Sequence, residues 1–393
     1  MIPVAEALDR IFALLTPLPA ETVPLRAACG RVLARDAVAR RDQPPFDASV
    51  MDGYAVSDPE PLTGTVLRVV GEAAAGHALD RTIGPGEAAR IFTGAPLPQG
   101  AVRVIIQENT AREGDLVRIL TDPVEDRFVR PAGGDFRRGD RLLSGRRLSP
   151  SDLVLLASMN LPTVDVTRRP VVAILTTGDE LVPPGAEPDA DQIVASNGVG
   201  LAALAESLGA RARLLPIVAD RMDALEQAFA LCEGADLVVS SGGASVGDHD
   251  LLGSDLSALG VERAFYRVAM RPGKPLFAGT LRGVPMIGLP GNPVSSMVCG
   301  YIFMCPALRM LQGLPSVHAP RLQAVLAADL PANGPREHYM RARLADGKIA
   351  ACDRQDSSLQ RVLADADALL VRPPHDPPCP AGSVVAYVPL HQH

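Results

Sequence analysis

The chain has 393 residues, 47% of them apolar, with 45 acidic against 38 basic side chains and a formal net charge of −7. A single core rarely grows past about 250–300 residues, so two to four domains are expected. The acidic balance, the lack of tryptophan and the few other aromatics (nine Phe, five Tyr) argue against a dedicated nucleic-acid surface, although a local basic cleft could still take an anionic substrate.

Residues 3–16 carry Val4, Ala7, Leu8, Ile11, Leu14 and Leu15 at helical spacing, which predicts an amphipathic helix stopped near Pro17. Residues 22–43 read as extended, and Pro44-Pro45 punctuates them. Between 50 and 130 the segments are short and β-like, with strands at 66–70 and 103–106 and turns at 84–86 and 94–100. Residues 149–159 predict a second helix: Ser149 caps it, Pro150 takes the first helical position, and Leu153, Leu156 and Ala157 form its stripe. We expect it to pack on the N-terminal helix, with the β-rich region inserted between the two.

From residue 170 the period changes. Continuous apolar strands at 171–175, 214–218, 237–239 and 285–289 alternate with helices at 197–208, where Asn197 is the expected cap, and at 222–231. That alternation predicts a mostly parallel sheet covered on both faces. Residues 317–393 return to β patterning at 321–326, 339–344, 368–371 and 384–388, which fits a small barrel or sandwich. The fold class is therefore multidomain α/β plus β. The six cysteines form no C-x-x-C pair and read as free, mostly buried thiols. The N-terminus has no signal-peptide pattern. The apolar run 283–298 is short and broken by proline and glycine, so no membrane segment is expected and the cytoplasm is the default.

Three polar motifs follow the carboxyl ends of predicted strands, where open α/β sheets bind ligands. Thr176-Thr177-Gly178-Asp179-Glu180-Leu181 presents two carboxylates from a sharp turn; a solvated turn would use the same residues. The loop from Ser240 through Ser241, Gly242, Gly243 and Ser245 to Asp248, His249 and Asp250 could form an anion-binding nest, with Asp248 and Asp250 as oxygen ligands for a hard cation. A flexible connection is the alternative reading. The loop matches neither the Walker A spacing nor G-x-G-x-x-G, which argues against that class of ATPase and against an ordinary dehydrogenase. Leu289-Pro290-Gly291-Asn292-Pro293 leaves a strand and enters a helix. Met270-Arg271-Pro272-Gly273-Lys274-Pro275 puts two cations on a stiffened turn suited to phosphate or oxyanion. Upstream, residues 44–55 contain Asp52, and Thr93-Gly94-Ala95 and Gly133-Gly134-Asp135 read as loop fragments.

Six of these phrases, in this order along nearly the whole chain, resemble the MoeA family of molybdopterin molybdenumtransferases, related to the C-terminal part of gephyrin. They are the phrase from Phe46 to Ala55, Thr93-Gly94-Ala95, the phrase from Thr177 to Leu181, the phrase from Ser241 to Asp248, Arg271 to Pro275, and Leu289 to Pro293. The resemblance implies an elongated linker and dimerisation domain (1–44 with 138–168), an inserted β-rich domain (45–137), an α/β molybdopterin-binding domain (169–312) and a β-barrel-like domain (317–393). It implies transfer of molybdenum from molybdate to adenylylated molybdopterin, release of AMP, and a need for Mg²⁺. It implies a homodimer whose cleft is shared between subunits, and makes the adenylyltransferase and molybdoenzyme maturation proteins candidate partners.

Carried onto this chain, the resemblance makes Asp52, Asp135, Glu180, Asp248 and Lys274 catalytic. It places Thr93, Thr177, Gly178, Asn197, Ser241, Gly242, Gly243, Ser245, Arg271, Pro290 and Pro293 against the cofactor, and Glu180, Asp248 and Asp250 on the metal. Two positions depart from the family pattern: Gly134 and Ala195 stand where a carboxylate is common. The main carboxylates remain, so activity is expected. The competing readings are an enzyme that adenylylates molybdopterin and a non-enzymatic scaffold.

Overall fold

A computed structural model of the protein describes residues 1–242 and 256–390. The N-terminal helix is Val4–Phe12, and Val4, Ala7, Leu8 and Ile11 are its buried stripe. It does not pack on the second helix. Its stripe joins the core of the α/β unit, with Val268, Met270, Phe303 and Leu308. The second helix, Pro150–Ser158, instead closes a separate core through Leu156 and Met159, against Ala28, Leu33, Leu148 and Val164. Its cap is a full capping box: Asp152 N donates to Ser149 Oγ at 3.2 Å, and Ser149 N donates to Asp152 Oδ2 at 2.7 Å. That arrangement turns Asp152, Leu156 and Met159 inward and leaves Ala157 exposed, outside the predicted stripe.

The extended N-terminal segment is tied to this second helix's surroundings by short antiparallel pairs, Ala20–Pro24 with Thr163–Thr167 and Ala37–Val38 with Arg141–Leu142. The β-rich unit is a six-stranded sheet in the order Arg103–Ile106, Gly53–Val56, Glu87–Ile91, Val66–Ala73, Leu116–Ile119, Thr110–Glu113. Both of its faces bury apolar residues.

The α/β unit is built on six strands in the order Arg211–Leu214, Val171–Thr176, Leu237–Ser241, Val284–Leu289, Phe277–Leu281, Val261–Tyr266. The first four are parallel and the last two antiparallel. Alternate residues of Val171–Thr176 enter two different cores: Val172 and Ile174 on one face, Ala173 and Leu175 on the other. This explains the continuous apolar run. The strand expected at 214–218 lies earlier, at Arg211–Leu214; Pro216 cannot donate to a ladder, and beyond it only Val218 bridges Thr177.

In the C-terminal unit, Leu322–Leu326, Glu337–Ala345, Lys348–Ala351, Ala368–Arg372 and Val384–Pro389 pair into a closed five-stranded ring, a barrel. The short strand Met270–Arg271 of the α/β unit adds in parallel to Glu337–Ala345, which joins the two units. Among the described residues one helical stretch, Pro293–Leu311, is long and apolar enough to cross a membrane, but 78% of its apolar window is buried inside the protein, as in a core helix. All six cysteines are free. Three are buried (Cys232, Cys299, Cys305), two are half-buried and Cys29 is exposed, fewer buried than expected. Burial lifts the Cys232 thiol to about 11 and the Cys305 thiol to about 12, so neither is a ready nucleophile at neutral pH.

Candidate active site

A cleft of about 660 Å³ opens at the carboxyl ends of the parallel strands. Thr177, Gly178 and Glu180 line it from the end of Val171–Thr176, and Ser241 and Gly242 from the end of Leu237–Ser241. Pro290 and Pro293 line it from the turn after Val284–Leu289. Two of these strand ends approach closely at Gly242. Its φ is +103°, and a Cβ there would lie 2.3 Å from the Thr177 carbonyl oxygen, so only glycine fits. Pro293 takes the first turn of its helix as predicted, with Asn292 at the cap position.

Asn197 is not a helix cap. It is the first residue of the helix Asn197–Ser207, and Ser196 precedes it at the cap position. Its side chain reaches across the cleft floor instead, where Nδ2 donates to Ser241 Oγ at 2.9 Å and to the Gly291 carbonyl at 2.7 Å. Thr177 Oγ1 and Ser240 Oγ are buried, and neither has a partner among the described residues that meets full hydrogen-bond geometry. Thr177 lines the cleft wall, and its hydroxyl stands beside the Asp220 carboxyl.

Asp220 escaped the reading of the sequence. It is half-buried on the cleft wall, and its amide donates to Asp179 Oδ1 at 3.0 Å. Burial raises its pKa first, and the charges of Asp179 and Glu180 raise it further, while the Thr177 hydroxyl draws it down. The signal for it was present: Asp220 lies just past Val218, beyond the carboxyl end of a parallel strand, where the other motifs were found. The barrel also contributes to the wall, through Ser358 and Gln360. Gln360 Nε2 donates to Ser196 Oγ at 3.1 Å, and Asn292 Nδ2 to Ser357 Oγ at 3.1 Å. Nothing in the pattern of residues 354–360 marked them.

Pro275 brings the cationic turn to the cleft edge. Gly273 makes that turn possible, at φ +107° with a Cβ that would lie 2.3 Å from Cys299 Sγ. Lys274 is exposed and forms no ion pair with any described residue. Behind the turn stands Arg341, fully buried at 0% exposure. Its Nη2 donates to the Asp356 carbonyl at 2.9 Å, but Nε and Nη1 have no partner among the described residues. His338, the register partner of Arg271, is also buried; burial first, then Arg271, Arg341, Arg336 and Arg372, hold its pKa down to about 4. Several cations are therefore gathered here, with donors unspent.

Asp52 and Thr93 sit together on the β-rich unit, and Asp135 is exposed on the loop after it. None of these three lines the cleft of its own chain, and neither do Arg271 and Lys274. Thr93 depresses the Asp52 pKa, through its amide first and its hydroxyl second. Gly243, Ser245, Asp248, His249 and Asp250 lie outside the described residues. Among the described residues no three metal-ligating side chains converge on one point. The carboxylates of Glu180 and Asp220 nonetheless fit a hard cation: they are oxygen donors whose repulsion a cation would relieve.

Three family models cover the chain in sequence. Residues 2–160 match the MoeA N-terminal region (domain I and II), 173–310 a probable molybdopterin binding domain, and 323–390 the MoeA C-terminal region (domain IV). A molybdopterin molybdenumtransferase of Nostoc sp. is 41% identical over 334 residues, which cover 81% of this chain and 76% of that protein. Molybdopterin molybdenumtransferase 2 of Mycobacterium tuberculosis is 36% identical over 367 residues, 89% of this chain and 90% of that protein. The crystal structure of a molybdopterin biosynthesis MoeA protein from Pyrococcus horikosii superposes with a TM-score of 0.86 at 29% identity and covers 100% of both chains. The chain belongs to the MoeA family.

Proposed function

We propose that this protein is a molybdopterin molybdenumtransferase, which moves molybdenum from molybdate to the dithiolene of adenylylated molybdopterin and releases AMP. The observation that carries the reading is the cleft itself. Most of its lining lies within the residues that match a molybdopterin-binding family model, with hard oxygen donors on one wall and the turn that carries Arg271 and Lys274 reaching its edge at Pro275. Thr177 and Gly242 line the cleft at the ends of two parallel strands, where a phosphate of the substrate would lie. Lys274 and Arg271 meet the dianionic molybdate, with the spare Arg341 N–H groups behind them. Glu180 and Asp220, with Asp248 and Asp250, are the residues that would hold Mg²⁺. The ion would supply neutralisation of the pyrophosphate charge.

The working unit in this reading is a homodimer. Asp52, Thr93 and Asp135 are absent from their own chain's cleft lining, and Phe46 (38% exposed) and Met51 (37% exposed), in the same sequence phrase as Asp52, are open to solvent. A second copy would bring these residues to the cleft. The adenylyltransferase that makes the substrate and the maturation proteins that take the product are the partners this chemistry calls for, in the cytoplasm. Incubation with adenylylated molybdopterin, molybdate and Mg²⁺ tests the function: AMP and molybdenum-loaded cofactor are expected, and the formation of neither overturns it.

A further inference from the structure

The Asn197 side chain is fixed in one orientation. The Gly291 carbonyl can only accept a hydrogen bond, so the group facing it at 2.7 Å is the amide nitrogen. The second amide hydrogen goes to Ser241 Oγ at 2.9 Å. Ser241 is itself held, 3.0 Å from Ser296 Oγ and 3.4 Å from the Pro290 carbonyl. The amide is thus tied to the end of one strand and to the turn after another. Both donors are spent inside the protein. Its oxygen, Oδ1, receives no hydrogen bond from any described residue, and Asn197 is half-buried on the cleft wall. A fixed, unused acceptor in a ligand cleft is a preorganised reader of an N–H group.

We propose that Asn197 Oδ1 accepts a hydrogen bond from the exocyclic 2-amino group of the pterin, and so makes Asn197 a specificity-determining residue. The inference rests on the functional reading above. The substrate carries two exocyclic amines, one on the pterin and one on the adenine. The pterin is favoured because Asn197 lies inside the segment that matches the molybdopterin-binding family model. A ring with an oxo group at the same place would set lone pair against lone pair. Sites built to meet a donor reject analogues that lack it far more strongly than apolar sites reject a missing methylene.

The test uses three probes: a pterin bearing a 6-alkyl phosphate, the matching lumazine with a 2-oxo group, and AMP. Binding of each is measured to the full-length wild type and to Asn197→Ala, with Asn197→Ser in reserve should the alanine variant fail to fold. The wild type is expected to prefer pterin over lumazine by at least about tenfold. The variant should reduce that preference to under about twofold while AMP binding stays within about twofold. A wild type that does not discriminate, a preference that survives the substitution, or a parallel loss of AMP binding would each overturn the inference; the last would make Asn197 a structural tie. A wild type that binds no pterin at all is a different result, because it removes the functional reading on which the inference stands.

Discussion

Asp52 and Thr93 act as one unit: the backbone amide and the hydroxyl of Thr93 both donate to the same oxygen, Asp52 Oδ1, each at 2.8 Å. The two bonds join a residue before the strand Gly53–Val56 to one after the strand Glu87–Ile91, and they hold the Asp52 carboxyl ionised below its ordinary value of 3.8. Nearby Arg90 adds a smaller effect in the same direction.

Removing the hydroxyl with Thr93→Val leaves only the amide bond. The Asp52 pKa should then rise part of the way back towards 3.8, read by carboxyl ¹³C titration. The sign follows from linkage. A depressed carboxylate stabilises the fold above its unfolded pKa and loses that contribution as pH falls through the folded value. The variant's deficit should therefore be present at pH 7 and shrink on acidification below about pH 4. An unchanged Asp52 titration would show that the hydroxyl contributes nothing.

Asp220 has the opposite sign. Its pKa is raised by burial and by Asp179 and Glu180, so its ionised form opposes folding. That penalty is absent below its unfolded pKa and grows as pH rises through the folded value. Asp220→Asn should raise the thermal midpoint at pH 7 yet lower turnover at least about tenfold, the trade expected when a repulsive group is kept for function. A variant that is less stable at pH 7, or fully active, contradicts this.

Gly242→Ala would press a methyl group to 2.3 Å from the Thr177 carbonyl at a φ of +103°. A cost of about 1–3 kcal/mol in unfolding free energy is expected, together with loss of most activity, because the two strand ends that frame the cleft must separate. Denaturant melts and turnover measured on the same preparation check both parts.

Much of this was legible from the sequence. The strand Val171–Thr176 announced itself because both of its faces are buried, and the helix Pro150–Ser158 because its cap chemistry is local. What was missed depends on distance. The packing of Val4–Phe12 against Phe303 and Leu308 is set by partners some 300 residues away in the chain, which a helical stripe cannot specify. The strands Val261–Tyr266 and Phe277–Leu281 carry the turnback of the sheet, and their pattern gave no alternation with helices. At the site, Gly178, Ser241 and Glu180 were visible as motifs, whereas Gln360 reaches the cleft only through the docking of the barrel, and the spare donors of Arg341 appear only once burial is known.

The separation of Asp52 from its own cleft yields a mixing experiment. Asp52→Asn and Asp220→Asn proteins should each be nearly inactive alone. Re-formed together in equal amounts, they should recover about one quarter of wild-type activity, since half the dimers are mixed and each mixed dimer has one intact cleft of two. If each chain builds its cleft unaided, the mixture stays inactive.

The most direct test of the whole account is a single-turnover reaction of the wild type with limiting adenylylated molybdopterin, in which AMP and molybdenum-loaded cofactor are quantified with and without molybdate. The account predicts that the two products appear in a ratio of about one to one and that Lys274→Ala slows both together. AMP released with no molybdenum loaded would make the protein a hydrolase of that substrate and contradict the assignment.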